Sequence, residues 1–201
     1  MQNHKPLLVG ITGGIGAGKT TAAKIFQTLG IPVYYADDRA KWLMANSPSL
    51  KEQIAAQFGK EAYHEDGTLN RPFLAGKVFS DPEQTKRING LVHPAVKDDF
   101  EAWAARQDAP YVLKEAALLF ETGSYQDLDH VIHVFAPVDL RISRVLSRDA
   151  HRSREQVLAI MERQWSDTQK NKQADFTISN KENQMLIPQV MKVHKALSEK
   201  A

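Results

Sequence analysis

"GITGGIGAGKTT", residues 10–21, contains Gly13, four residues, and then Gly18-Lys19-Thr20. That spacing is the signature of a phosphate-binding loop, provided a strand leads in and a helix leads out. Both are present. "PLLVGIT" (6–12) is a short, nearly continuous apolar run of the kind a buried parallel strand requires. After the loop, Ala22, Phe26 and Leu29 recur at helical spacing, and Gly30 stands where a helix would end. "IPVYY" (31–35) reads as a second strand. Strand, helix and strand within about 30 residues form a βαβ unit, which joins parallel strands.

Across Gly13, Gly14, Ile15, Gly16, Ala17 and Gly18 the glycines let the backbone curl, so that successive N–H groups face inward and cradle phosphate oxygens. The helix opening at Lys19, Thr20 and Thr21 adds its positive N-terminal end. Lys19 would neutralise the β- and γ-phosphates of ATP, and the Thr20 hydroxyl would ligate Mg²⁺. A glycine-rich turn without a ligand is the competing explanation, and the two flanking elements argue against it.

From Asp37 to Gln107 the texture changes to helical patterns, broken by "NSPS" at Asn46, "DGTLNRP" at Asp66 and "SDP" at Ser80. This predicts a helical substrate lobe, 37–107, inserted into an α/β phosphate-loop core of 1–36, 108–137 and 173–201, with a helical lid at 138–172. Strands return at Tyr111 in "YVLKEAALLFE", at His130 in "HVIHVFAP" and in "FTISN" (176–180). In the tail, Ile187, Val190, Met191 and Leu197 fall near one helical face.

Bulk composition narrows the class. A chain of 201 residues with 42% hydrophobic and 25% charged residues suits one soluble globular domain. A formal charge of +2 does not point to a protein built chiefly to bind nucleic acid or an anionic membrane, and it leaves room for a local basic pocket. Without cysteine there is neither a disulfide framework nor a thiolate metal site. No apolar run has the length of a signal peptide or a membrane span, so a cytoplasmic protein is expected.

The phosphoryl group needs an acceptor. A GTP switch would carry DxxG and NKxD; DxxG is absent, and "NKEN" (180–183) places Asn183 where a carboxylate should read guanine. A kinase needs a base near the γ-phosphate. Asp37 and Asp38 follow the second strand at the carboxyl edge of the sheet, where ligands bind. On spacing alone, a base and a helix cap near Arg39 fit them equally well. Glu115, ending the third strand, could hold the water shell of a magnesium ion. Arg141, Arg144 and Arg148 share a helical stripe beside Val138, Ile142, Val145 and Leu146. Such a stripe is either a solvated face or a lid that closes on ATP.

Taken in order, "GITGGIGAGKTT", "GIPVYYADDRA", "FGKEAYHEDGTLNRPFLAGKVFSD", "LVHPAV", "ALLFETG", "SRVLSRD" and "ADFTISN" resemble the dephospho-CoA kinase family over nearly the whole chain. The resemblance implies ATP-dependent phosphorylation of the ribose 3′-hydroxyl of dephospho-CoA, with Mg²⁺, giving CoA and ADP. It implies Asp37 as general base and Arg144 and Arg148 as lid arginines. It also places Arg71 and His93 on the dephospho-CoA side and Asn180 near the adenine. Three positions depart from the family pattern: Tyr35 replaces a first aspartate, Ala117 a proline, and Arg141 a lid glutamine.

Overall fold

The computed structural model describes residues 5–78 and 81–201. Phe79 and Ser80, which belong to the "VFSD" stretch and to the break read at Ser80, lie outside the described residues. The chain divides into two compact units. One comprises the chain up to Tyr35 together with Ala104–Ala201, and the other is Ala36–Trp103.

The first unit is built on a five-stranded parallel sheet in the order β2-β3-β1-β4-β5. β1 (Leu7–Thr12) lies at its centre, with Val9 opposite Leu113 of β3 (Tyr111–Glu115) on one side and His130 of β4 (His130–Phe135) on the other. Burial on both faces explains why these segments read as unbroken apolar runs. β2 (Val33–Tyr35) is shorter than "IPVYY" suggested. Pro32 has no N–H to give the ladder; its carbonyl instead accepts from the Leu113 N–H at 2.9 Å. β5 (Phe176–Ser179) completes the edge beside β4.

On one face, Val9, Ile11, Leu113, Ile132, Val134 and Ile178 pack with Ala22, Ala23 and Phe26 of α1 (Lys19–Thr28) and with α9 (Leu186–Ser198). The buried side of α9 is Val190, Val193 and Leu197. Ile187 and Met191 are exposed, contrary to the expected face: the helix is rotated so that Leu186 rather than Ile187 joins the core. Strand alternation sends His133 to the opposite face, where its Nδ1 lies 2.7 Å from Asn171 Oδ1 of α8 (Asp167–Gln173). α6 (Val138–Arg148) and α7 (Arg154–Glu162) pack together through Ile142, Val145 and Val157.

The second unit is helical. α2 (Ala36–Asn46) and α3 (Pro48–Phe58) are separated by Ser47, whose hydroxyl caps α3 at the Leu50 N–H. α4 (Arg71–Val78) follows a turn in which the Asp66 carboxylate accepts from the Thr68 N–H and hydroxyl at 2.9 and 2.7 Å. α5 (Pro82–Ala104) buries Ile88, Val92, Val96 and Phe100 at four-residue intervals and runs on through Pro94, so the His93-Pro94 pair does not break it. Among the described residues, the extended pairing in this unit is the isolated bridge between Tyr63 and Leu69.

Candidate active site

β1 delivers the chain into the loop at the carboxyl end of the central strand, and α1 starts at Lys19. Gly18 precedes α1 at φ +90°, a conformation that strains any residue with a Cβ, and it provides no side-chain cap. The first N–H groups of α1 are therefore left for an anion. Gly16 also has positive φ. The other two loop glycines lie at close approaches, to backbone at Gly13 and to a side chain at Gly14. A Cβ on Gly13 would meet the Val134 carbonyl, and one on Gly14 would meet the Arg141 guanidinium.

At the start of α1, Lys19 Nζ lies 3.6 Å from Glu115 Oε1, and Thr20 Oγ1 lies 3.4 Å from the same oxygen. Both separations are long for direct bonds, and they leave the three groups ringed around one point. A hydroxyl and a carboxylate are the hard oxygen donors Mg²⁺ takes. Among the described residues no cluster of three or more His, Asp or Glu side chains could hold a metal alone. Thr20 and Glu115 fit an ion that would share its shell with phosphate oxygens and water. Tyr35 stands beside Glu115 in the sheet register, and burial, together with the Glu115 charge, raises its phenol pKa.

Asn180 follows β5 and reaches back to the loop. Its Nδ2 donates to the Ala17 carbonyl at 2.9 Å and lies where a Cβ on Gly18 would go. Its own carbonyl accepts from Arg144 Nη2 at 3.3 Å. The other terminal nitrogen of Arg144, Nη1, is buried with no hydrogen-bond partner. A buried, unpaired guanidinium nitrogen beside a phosphate loop is a donor suited to an anionic ligand. Thr21 is exposed in the first turn of α1.

The arginine stripe is not one surface. Arg141 is 6% exposed and belongs to the buried side of α6 with Ile142 and Val145, whereas Val138 is exposed. Arg148 is exposed and forms two 2.9 Å bonds to Asp149, whose carboxyl is lowered to about 2, chiefly by that hydrogen bond. Sequence reasoning missed Gln164 and Asp167. Gln164 Oε1 accepts from the Ile15 N–H at 2.9 Å, and Asp167 pairs with Arg141 at 3.1 Å. Burial pushes the Asp167 carboxyl up, but His133, whose Nε2 lies 3.4 Å from its Oδ1, and the Arg141 and Lys170 charges outweigh it and hold the group low.

Four further expected residues belong to the helical unit. Asp37 and Asp38 sit inside the first turn of α2 rather than capping it, because the helix begins at Ala36. Asp38 pairs with Lys41 at 2.8 Å, and Asp37 is exposed without a partner among the described residues. Arg71 is the exposed first residue of α4, and His93 is exposed in the middle of α5.

A central strand running into a glycine loop that caps a helix, in an open parallel sheet, defines a phosphate-loop nucleotide-binding protein of the α/β class. Comparisons narrow the class. The family model for CoaE, dephospho-CoA kinase, matches residues 7–185. Dephospho-CoA kinase of Salinibacter ruber is 43% identical over 175 residues, covering 86% of this chain and 87% of that one. The crystal structure of TT1252 from Thermus thermophilus superposes with a TM-score of 0.85 at 34% identity, covering 96% and 98% of the two chains. Dephospho-CoA kinase from Campylobacter jejuni gives 0.70 at 26% identity with the same coverage. This chain belongs to the dephospho-CoA kinase family.

Proposed function

We propose that this protein transfers the γ-phosphoryl group of ATP to the ribose 3′-hydroxyl of dephospho-CoA, yielding CoA and ADP. Family membership supports the acceptor. The observation that carries the chemistry is the loop itself, with a helix start free of side-chain capping and Lys19, Thr20 and Glu115 converging beside it.

Asp37 is the proposed general base. Its exposed, unpartnered carboxylate lies two residues beyond β2, and it takes the 3′-hydroxyl proton as the oxygen attacks phosphorus. The loop N–H groups and Lys19 hold the phosphates in line, and Arg144, with one nitrogen unpaired, meets the charge that spreads over the transferring group. Arg148 is proposed to join it from the 138–172 lid by exchanging Asp149 for phosphate. Asn180 fixes the loop beneath the nucleotide. Arg71 and His93 are the proposed contacts to the CoA moiety. Thr20 and Glu115 would hold Mg²⁺, which would supply charge neutralisation to the phosphates.

The test is ADP release by purified protein in MgATP with and without dephospho-CoA. Strong stimulation is expected. ATP binding with no stimulation would leave the nucleotide site in place and refute the acceptor.

A further inference from the structure

One loop residue is gripped at three points by the α6–α8 segment. The Ile15 side chain packs against Ile142, Val145 and Val157. Its N–H donates to Gln164 Oε1 at 2.9 Å, and its carbonyl accepts from Arg141 Nε at 2.9 Å. Arg141 is in turn oriented from behind. Its Nη1 donates to Asp167 Oδ2 at 3.1 Å, while Asp167 Oδ1 faces His133 Nε2 on β4 at 3.4 Å. The guanidinium fills the space that a Cβ on Gly14 would take, and the Arg141 backbone closes on Gly16 in the same way. The loop thus lies against a buried charged wall, and every bond described is internal to the sheet unit.

We infer that Arg141, Asp167 and Gln164 are positioning residues that set the shape of the phosphate loop through Ile15. A planar guanidinium spanning a carbonyl and a carboxylate fixes both the distance and the plane of the Ile15–Gly16 peptide, which a flexible ammonium could not do. Gln164 fixes the preceding peptide from its other side. With both peptides of Ile15 held, the N–H groups that follow are aimed before nucleotide arrives, which reduces the ordering cost of binding. Arg141 acts here on protein rather than on ATP. This gives the departure from the family's glutamine a physical role: a buried cation whose charge Asp167 offsets.

This inference rests on the nucleotide-site reading above, and the experiment separates the two. MgATP affinity is measured by titration calorimetry, without dephospho-CoA, for wild type, Arg141→Ala, Asp167→Ala, the double variant and Gln164→Leu. Each single change is expected to weaken MgATP by about tenfold, the scale of one charge-assisted hydrogen bond. The double variant should be no weaker than the worse single, because Asp167 acts through Arg141. The KM for dephospho-CoA should stay at the wild-type value, which a general loss of structure would not allow. If Asp167→Ala leaves Arg141 buried and unpaired and does not fold, Asp167→Asn, which keeps an oxygen toward Arg141 but loses the charge, is used in its place, and a smaller loss of MgATP affinity is expected. Unchanged affinity in the Asp167 and Gln164 variants, or additive losses of about a hundredfold in the double, would overturn the inference. A wild type that binds no MgATP would overturn the nucleotide site itself.

Discussion

Replacing Gly18 by alanine tests the loop geometry quantitatively. Gly18 sits at φ +90°, and its missing Cβ is the space occupied by Asn180 Nδ2. Holding alanine in a left-handed conformation costs about 1–2 kcal/mol. Displacing Asn180 also breaks its bond to the Ala17 carbonyl, worth about 0.5–1.5 kcal/mol. Together these come to about 1.5–3.5 kcal/mol, borne by the conformation that binds phosphate. MgATP should therefore bind roughly tenfold to several-hundredfold more weakly. Gly30→Ala is the control. Gly30 has φ +86°, but a Cβ there meets nothing within 4 Å. It should lower the melting temperature through backbone strain alone and leave MgATP affinity at the wild-type value. Calorimetric titration beside thermal unfolding reads both quantities. A folded Gly18→Ala protein that binds MgATP within about threefold of wild type would refute the argument that this left-handed, sterically closed glycine shapes the site.

Asp37→Asn should abolish CoA formation while MgATP affinity is retained, since the amide cannot accept the proton; near-normal turnover in steady-state assays would remove Asp37 as base. Lys170, fully buried on α8 and 2.8 Å from Glu121, should not tolerate Lys170→Met. Stranding the Glu121 carboxylate costs about 3–5 kcal/mol, or roughly 6–20 °C of melting temperature, measured by calorimetry. Asp167 gives a pH dependence. Its folded pKa is depressed, so its contribution to stability is complete above the unfolded value of about 4 and is lost as pH falls through the folded pKa. Asp167→Asn should flatten the acid limb of a stability-versus-pH series, and an unchanged limb would refute the assignment.

The βαβ opening and the loop were legible because their determinants are local. Glycine spacing, an apolar run and a helical period all lie within about 30 residues. The role of Arg141 was not legible. In sequence it shares a stripe with Arg144 and Arg148, and nothing nearby says that it is buried; its partners, Ile15 and Asp167, are 126 and 26 positions away. Lys170 is hidden for the same reason, since the polar helix "DTQKNKQ" reads as solvated until Glu121 is folded against it. On α9 the ambiguity was rotational. Adjacent Leu186 and Ile187 are equally apolar, and only packing on β5 and α1 selects which faces inward. Asp37 was found by its position after a strand, but its placement inside the first turn required the helix start at Ala36, and helix starts without a capping side chain leave little trace in sequence.

The central claim is the transfer itself, and it is tested most directly by identifying the product. Protein, MgATP and dephospho-CoA are incubated together, ADP is quantified, and the acceptor is analysed by mass and by phosphorus NMR. The account predicts one CoA per ADP, with the new phosphate on the ribose 3′ oxygen. ADP accompanied by inorganic phosphate, with dephospho-CoA recovered unchanged, would contradict it.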